Sequence, residues 1–284
     1  MNTPQAMLGP KTMVEAIYQC EYMGLVACRH GAMLLNTNDT TLGAILAYYG
    51  EFDECELNLL CSLIEPMDIV WDVGANIGTH AIVFARHGLA VLAFEPQRLI
   101  FQTLCGNMAL NAIQNVIAYP YAIGAQNKII RPGVADPRQR TAFSSITMLE
   151  NGGVEDVQMT RIDDIPGRCD FLKIDVEGME CDVLEGAEKK IQQYKPILYV
   201  ENNHPSKSVD LLSRVRDLGY VAYWSLAWPY NPNNFWGLPN VFSSHKEIRP
   251  NPNILCHHAS KPCGPINLPK VDGVHDNWER LMRK

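Results

Sequence analysis

The sequence lacks any apolar run that approaches the roughly 20 residues of a membrane-spanning helix. Its first residues are mixed in character and include Pro4 and Pro10, unlike the basic and apolar regions of a signal peptide. It also lacks internal repeats and low-complexity tracts. Nine cysteines are present, but they are scattered without the paired spacing of a disulfide framework. We therefore expect a cytoplasmic protein with no membrane span.

Runs of positive charge are absent as well. The formal net charge is −7, and charged residues make up 19% of the chain. Because proteins that bind nucleic acids usually carry a basic face, we expect no nucleic-acid partner. The 284 residues, 47% of them hydrophobic, suit one large globular domain with additions.

The cysteines and histidines near the end of the chain do not follow a metal-binding spacing. Cys256, His257, His258 and Cys263 lie close in sequence, but their spacing is not that of a zinc finger and no second pair of ligands accompanies them. We therefore predict no metal ligands in this segment.

Residues 69–80 resemble a nucleotide-binding turn but lack one glycine of the fingerprint that binds dinucleotides. Residues 69–80 have the pattern of a buried strand, a tight turn bracketed by Gly74 and Gly78, and a helix. A dinucleotide fingerprint, G-x-G-x-x-G, has a middle glycine that admits the pyrophosphate, whereas here the pattern from Asp72 is D-x-G-x-x-x-G. A second predicted strand ends in Glu95, and an acid at that distance suits a ribose diol. The combination favours S-adenosylmethionine over a dinucleotide.

Strands and helices alternate after position 68, which is typical of a parallel α/β sheet. The predicted strands cover 68–73, 90–95, 116–123, 171–176 and 197–200. Ligands of such sheets bind beyond the carboxyl ends of the strands. The polar residues expected at that edge are Asp72, Glu95, Asp175, Glu177, Glu201 and His204.

The chain divides into three regions of different character. A polar insertion over 124–153 and an aromatic segment over 228–236 interrupt the central region. The aromatic segment is either a flap packed on the body or a surface that stacks on a ligand. Helices are predicted over 14–24, 40–49 and 53–64, with a short strand at 33–35. The predicted regions are a helical cap over 1–65, the cofactor-binding domain over 66–245 and an irregular extension over 246–284.

Several motifs occur in a fixed order along the chain. They are Gly50-Glu51-Phe52, Trp71-Asp72-Val73-Gly74-Ala75-Asn76-Ile77-Gly78, Phe94-Glu95-Pro96, and Lys173-Ile174-Asp175-Val176-Glu177-Gly178 followed by Leu184-Glu185-Gly186-Ala187. In this combination the chain resembles the FkbM family of S-adenosylmethionine-dependent methyltransferases over roughly 50–205. The resemblance implies an α/β, Rossmann-like class I methyltransferase sheet of seven strands, the last antiparallel, with helices on both faces. It also implies methyl transfer, often to oxygen, with a sugar, glycoconjugate or natural product as the small-molecule or glycan acceptor.

The resemblance further implies roles for individual residues around S-adenosylmethionine. The expected contacts are Asp72, Gly74, Asn76 and Gly78 at the methionine end, Glu95 at the ribose, Ala122 beside the adenine, Asp175 next to the transferable methyl group, and Glu51 at the amino group.

An alcohol acceptor has to lose a proton during the reaction, and a positioned base contributes about 10²–10⁴-fold to the rate. The candidates at the strand edge are Asp175, Glu177 and His204, and the sequence does not choose among them. Carboxylates there could also hold Mg²⁺ together with acceptor hydroxyls. Three other functions stay open: N-methylation by the same fold, NAD-dependent oxidoreduction, and cofactor binding without chemistry. The oligomeric state is not predicted.

Overall fold

The computed structural model describes residues 18–143, 152–241, 250–264 and 266–282. Part of the helix predicted over 14–24 and part of the insertion predicted over 124–153 lie outside these ranges. Within them, no helix combines the length and the apolar composition that crossing a membrane requires. The strands are β1 (Tyr18–Cys20), β2 (Met23–Cys28), β3 (Gly31–Asn36), β4 (Ile69–Val73), β5 (Ala90–Phe94), β6 (Val116–Tyr119), β7 (Tyr121–Ile123), β8 (Lys128–Ile130), β9 (Val157–Thr160), β10 (Phe171–Ile174), β11 (Ile197–Glu201), β12 (Tyr220–Ala227) and β13 (Asn251–His258). The helices are α1 (Leu42–Tyr49), α2 (Glu54–Cys61), α3 (Thr79–Phe84), α4 (Arg98–Leu110), α5 (Glu180–Gly186), α6 (Glu188–Tyr194) and α7 (Pro205–Asp217).

A seven-stranded sheet with the order β12-β13-β11-β10-β4-β5-β6 forms the centre of the molecule. Strands β6, β5, β4, β10 and β11 run parallel to one another. Strand β13 lies antiparallel to both of its neighbours, β11 and β12. The sheet therefore has seven strands with the last in sequence antiparallel, which confirms the predicted class I methyltransferase fold.

Alternating side chains of the central sheet enter two separate hydrophobic clusters. In β4, Val70 joins one cluster, while Trp71 and Val73 join the other. Helices α1 to α4 contribute to the cluster of Val70, and helices α5 to α7 contribute to the cluster of Trp71. Because strands covered on both faces carry near-continuous apolar runs, their sequences made the prediction of this sheet straightforward.

The segment predicted as an irregular extension contributes an internal strand to this sheet. Strand β13 lies between β11 and β12, and its Ile254, Leu255 and Cys256 are fully buried. The prediction of an irregular segment was wrong here. Only three apolar residues stand between polar ones, so the sequence pattern is weak and the strand depends on its two neighbours.

The N-terminal region is a small antiparallel sheet followed by two helices, rather than a helical cap. Strands β1, β2 and β3 pair in order, and the side chains of β2 alternate between buried and partly exposed. The helix predicted over 14–24 is therefore wrong for residues 18–24, the part that the structure describes. The strand predicted at 33–35 and the helices predicted at 40–49 and 53–64 are confirmed as β3, α1 and α2.

Pro120 interrupts the strand that was predicted over 116–123. Strand β6 joins the central sheet, whereas β7 pairs with β9 in a separate sheet of order β7-β9-β8. Proline lacks the N–H that a continuing ladder needs, so the chain changes sheets at this position. Strand β8 lies within the predicted insertion, and the insertion therefore contributes to this second sheet.

Candidate functional site

A cleft of about 320 Å³ lies at the carboxyl ends of the parallel strands, beside α1 and the loop that follows it. This volume is near the lower end of the usual range for ligand pockets, about 300–1,000 Å³. Five residues predicted for the site line the cleft, namely Gly74, Asn76, Glu95, Asp175 and Glu177. Other polar residues in its walls are Thr41, Asp53, Thr79, His80, Gln97, Lys173, Glu201, Asn203 and Asn251.

The glycine turn between β4 and α3 packs tightly against two neighbouring elements. Gly74 has φ +80°, and a Cβ there would lie 1.7 Å from the carbonyl oxygen of Asp175. Gly78 has φ +92°, and a Cβ there would lie 2.6 Å from side-chain atoms of Leu104 and Met108. Gly74 therefore lets the turn approach the loop after β10, while Gly78 lets α3 pack on α4, behind the cleft.

Glu95, at the end of β5, is joined to the glycine turn through the backbone. Its Oε2 accepts a hydrogen bond from the N–H of Asn76 at 3.1 Å, and its Oε1 accepts one from the N–H of Gln97 at 2.9 Å. The residue is 4% exposed. Burial raises the pKa of its carboxyl to about 7, although these two hydrogen bonds oppose the shift. Each oxygen keeps a second lone pair for a donor from a ligand.

Lys173 and Asp72 form a buried ion pair beneath the cleft. Strands β10 and β4 place the two residues opposite each other, with Lys173 Nζ 3.2 Å from Asp72 Oδ1 and 3.4 Å from Asp175 Oδ2. Burial lowers the pKa of Lys173, but Asp72 and Asp175 raise it by more, so that the net shift is upward. Sequence reasoning missed Lys173, although a lone lysine inside an apolar strand is a signal that could have found it.

Three carboxylates meet at the ends of β10 and β11. Asp175, Glu177 and Glu201 each offer an oxygen, and these oxygens lie within 4.8 Å of one another. Burial and the charge of Asp175 raise the pKa of Glu177 to about 8. Burial, Asp175 and Glu177 raise the pKa of Glu201 well above its usual value. Glu177 also has a left-handed backbone, φ +53°, followed by Gly178 at φ +93°, so the chain turns where a straight strand would have carried the side chain away.

His204 lies beside this cluster, outside the lining of the cleft. Its Nε2 is 3.8 Å from Glu177 Oε2, and its side chain is 40% exposed. The residue directly precedes α7, which begins at Pro205. The structure thus brings all three predicted base candidates into one neighbourhood, with Glu177 between Asp175 and His204.

Four residues predicted for the cofactor lie outside the lining of the cleft, and two of them, Glu51 and Ala122, lie away from it. Glu51 is buried and accepts hydrogen bonds from Arg29 Nε, Asn231 Nδ2 and the N–H of Phe235, at 2.7, 2.8 and 2.8 Å. It anchors the aromatic segment 228–236 on the N-terminal region. Ala122, in β7, is buried in a small cluster that includes Met179. The other two residues outside the lining, Asp72 and Gly78, support the turn from behind.

The structure reveals a second acidic group that sequence reasoning also missed. Asp53, Glu56 and His80 place side-chain ligand atoms within 4.8 Å of one another. His80 Nε2 is 3.2 Å from Glu56 Oε1, and Asn253 Nδ2 donates to Glu56 Oε2 at 2.9 Å. Asp53 has φ +50°, and burial followed by the charge of Glu56 raises its pKa well above the usual value. Asp53 and Glu56 lie at the start of α2 and His80 lies in α3, two elements that no local motif connects.

Comparison with known proteins finds methyltransferases similar to this chain. The chain is 32% identical over 141 residues to the hexuronic acid methyltransferase AglP of Haloferax volcanii, covering 48% of this chain and 56% of that protein. It is 27% identical over 175 residues to the methyltransferase sdnD of Sordaria araneosa, covering 48% of this chain and 66% of that protein. The chain thus spans only part of the length of these relatives. A solved structure of the FkbM methyltransferase from Methylobacillus flagellatus covers 68% of this chain and 44% of its own, with a TM-score of 0.48 and 19% identity.

The family comparison covers the site itself. The model of the methyltransferase FkbM domain matches residues 72–222, a little over half of the chain. The match begins at the aspartate of the glycine turn and includes Glu95 and the three carboxylates at the ends of β10 and β11. This protein belongs to the FkbM methyltransferase family.

Proposed function

We propose that this protein transfers the methyl group of S-adenosylmethionine to a hydroxyl group of a sugar or a uronic acid. The observation that carries the proposal is the position of Glu95, whose carboxylate faces the cleft while backbone N–H groups of the glycine turn and of Gln97 hold both of its oxygens. Membership of the FkbM methyltransferase family supports the reaction class.

The cofactor would occupy the side of the cleft formed by β4 and β5. A ribose diol can donate hydrogen bonds to the free lone pairs of Glu95, and the methionine end would follow the turn at Gly74 and Asn76. Asp72 and Gly78 would act indirectly, because they hold that turn in place from behind. Glu51 would act at a distance from the cofactor, by anchoring the segment 228–236 beside the cleft. Ala122, which is buried in β7, would also lie at a distance from the cofactor.

The acceptor would occupy the opposite side, near Asp175, Glu177 and Glu201. In the reaction the acceptor oxygen forms a bond to the methyl carbon, the carbon–sulfur bond breaks, and its electron pair neutralises the sulfonium. The hydroxyl proton passes to a base. Alignment of this displacement can remove about 7–11 kcal/mol of the barrier. Glu177 is placed for the proton transfer because it lines the cleft next to Asp175 and also lies near His204, which is outside the lining.

The choice of a sugar-like acceptor rests on the relative from Haloferax volcanii, which is a hexuronic acid methyltransferase. The shared region covers 56% of that protein, so the acceptor is part of the proposal. N-methylation is the alternative within the same fold. The absence of nucleic acid among its acceptors stays a prediction from composition.

We expect S-adenosylhomocysteine to bind to the purified protein, and Glu95→Ala to weaken this binding by at least about tenfold, since a charge-assisted hydrogen bond contributes about 1.5–3 kcal/mol. Isothermal titration calorimetry measures the affinity, with NAD as the competing ligand. Glu185→Ala, an exposed carboxylate of α5, is the control and should bind like the wild type. Preference for NAD, or equal affinity in both variants, would contradict the proposed cofactor.

The affinity for S-adenosylhomocysteine should also rise with pH through about 7, the pKa to which burial raises Glu95. Below this pH the folded protein holds a neutral carboxyl, and above it the carboxylate is the stronger acceptor for ribose hydroxyls. The loss should approach about tenfold per pH unit below the pKa if only the carboxylate binds. Titrations from pH 5.5 to 8.5 test this, and Glu95→Gln should give a flat profile. The same slope in Glu95→Gln would assign it to another group.

Methyl transfer itself is measured with labelled S-adenosylmethionine and a panel of uronic acids, neutral sugars and amines. Incorporation into a hydroxyl-bearing sugar supports the proposal. Incorporation into amines alone would establish N-methylation, and tight cofactor binding with no transfer to any member of the panel would support a binding protein.

A further inference from the structure

One buried oxygen among the three carboxylates has no hydrogen-bond partner in the part of the chain that the structure describes. Glu201 is 5% exposed, and its Oε1 accepts hydrogen bonds from Asn203 Nδ2 at 2.7 Å and from Asn251 Nδ2 at 3.2 Å. Its Oε2 is buried and lacks a donor among the described residues. Asn203 Oδ1, from the same loop, is also buried without a donor in the described part of the chain. A buried polar oxygen without a partner is costly, so each such oxygen indicates a missing donor or cation.

When all three carboxyls are ionised, the cluster carries more negative than positive charge. Lys173 contacts Asp175, but it is shared with the fully buried Asp72. Within the described ranges, no lysine or arginine forms an ion pair with Glu177 or Glu201, and His204 approaches Glu177 only to 3.8 Å. Like charges this close repel each other strongly in a partly buried site, and a cation between them removes the repulsion.

From these observations we propose that Asp175, Glu177 and Glu201 bind a hard divalent cation such as Mg²⁺, Mn²⁺ or Ca²⁺. All three ligands are oxygens, which these cations prefer. Bonds from these cations to oxygen are about 2.0–2.6 Å long. Because the three oxygens lie within 4.8 Å of one another, all of them can reach one such ion after small movements of the side chains.

The second acidic group is a less suitable site because two of its three members, Glu56 and His80, already have partners. Each oxygen of Glu56 already has a hydrogen-bond partner, His80 Nε2 for one and Asn253 Nδ2 for the other. The same contact with Glu56 uses His80 Nε2, the atom that would otherwise bind a cation. A cation there would have to displace these hydrogen bonds. In the first cluster it would add a partner where one is missing.

The cation would also contribute to the proposed reaction. From the acceptor side of the cleft it can bind an acceptor hydroxyl and lower its pKa, and it can offset the repulsion between a uronate carboxylate and the three acids. Only this contribution rests on the proposed function, since binding of the cation requires neither cofactor nor acceptor.

Titration of the full-length protein with Mn²⁺, after treatment with EDTA and removal of the chelator, tests the site. The electron paramagnetic resonance signal of free Mn²⁺ reports binding. We expect one saturable site per chain, with an affinity that falls at least tenfold in Glu201→Gln and is unchanged in the control Glu185→Gln. Asp53→Asn should lower the affinity less than Glu201→Gln, because Asp53 belongs to the second acidic group and acts on Asp175 only through its charge.

The absence of saturable binding by the wild type, equal affinity in Glu201→Gln, or loss of binding in Asp53→Asn instead would overturn the proposal. Glu177→Gln provides an independent loss from a less buried position, so that a folding defect at Glu201 does not determine the outcome. Affinity for S-adenosylhomocysteine, measured in parallel, separates the two proposals, because a protein that binds Mn²⁺ but not the homocysteine contradicts only the proposed function.

Discussion

Gly74→Ala is expected to lower the free energy of unfolding by about 2–5 kcal/mol. Part of this loss, about 1–2 kcal/mol, comes from holding a side chain at φ +80°. The remainder comes from the Cβ, which would lie 1.7 Å from the carbonyl oxygen of Asp175, a backbone atom that moves only if the loop after β10 moves. Urea unfolding followed by circular dichroism measures the change.

Gly273→Ala separates these two contributions. Gly273 has φ +81°, almost the same as Gly74, but no atom lies within 4 Å of a Cβ at that position. We expect it to cost only the conformational part, about 1–2 kcal/mol. Equal losses in the two variants would mean that the close approach to Asp175 does not constrain the turn. A larger loss in Gly74→Ala, together with weaker binding of S-adenosylhomocysteine, supports a turn positioned by this contact.

Lys173→Met should lower the free energy of unfolding by about 3–5 kcal/mol, because it leaves the charge of Asp72 buried without a cation. Asp72 is 0% exposed and Lys173 is 3% exposed, so water does not replace the lost partner. The double variant Lys173→Met with Asp72→Asn removes both charges and should recover a large part of the loss. The four stabilities, from urea unfolding, form a double-mutant cycle that measures the coupling.

Lys190→Met is the matched control for this cycle. Lys190 is also buried, but its Nζ donates to the carbonyl oxygens of Ile165 and Gly167, at 2.9 and 2.7 Å. Its loss leaves neutral acceptors, for which the expected cost is about 1–3 kcal/mol. If Asp72→Asn fails to recover stability in the Lys173→Met background, the cost of that variant lies in packing and the ion pair is not its cause.

The parts of the site that were predicted from the sequence are local. The strand, turn and helix around Gly74 follow from a short apolar run, a positive-φ glycine and a second glycine where α3 begins, all within twelve residues. Glu95, Asp175 and Glu177 were placed at the cleft because parallel strands end at the same edge of a sheet. Their position required only the strand pattern, without knowledge of which strands are neighbours.

The parts that were missed depend on contacts between distant segments. Strand β13 has too few apolar residues to indicate a strand, and it exists because β11 and β12 pair with it on both sides. The first part of the small N-terminal sheet, residues 18–24, was predicted to be helical because a three-residue β1 has no period of its own. Glu51 belongs to a family motif, but two of the groups that donate hydrogen bonds to its carboxylate come from residues about 180 positions later in the chain.

The charge pattern of the site also has one part that the sequence predicts and another that depends on contacts between distant segments. Sequence alone identified which carboxylates lie near the strand ends, since that depends on chain order. Strands β4 and β10 are about 100 residues apart in sequence, and their register places Lys173 opposite Asp72. The positive charge of Lys173 therefore lies at the base of the cleft. The neighbouring position of β11 then brings Glu201 to Asp175 and Glu177 and leaves one of its oxygens without a donor among the described residues. Hydrophobic periodicity is a property of neighbouring residues, whereas the balance of charge in a cleft is a property of the strands that the fold brings together.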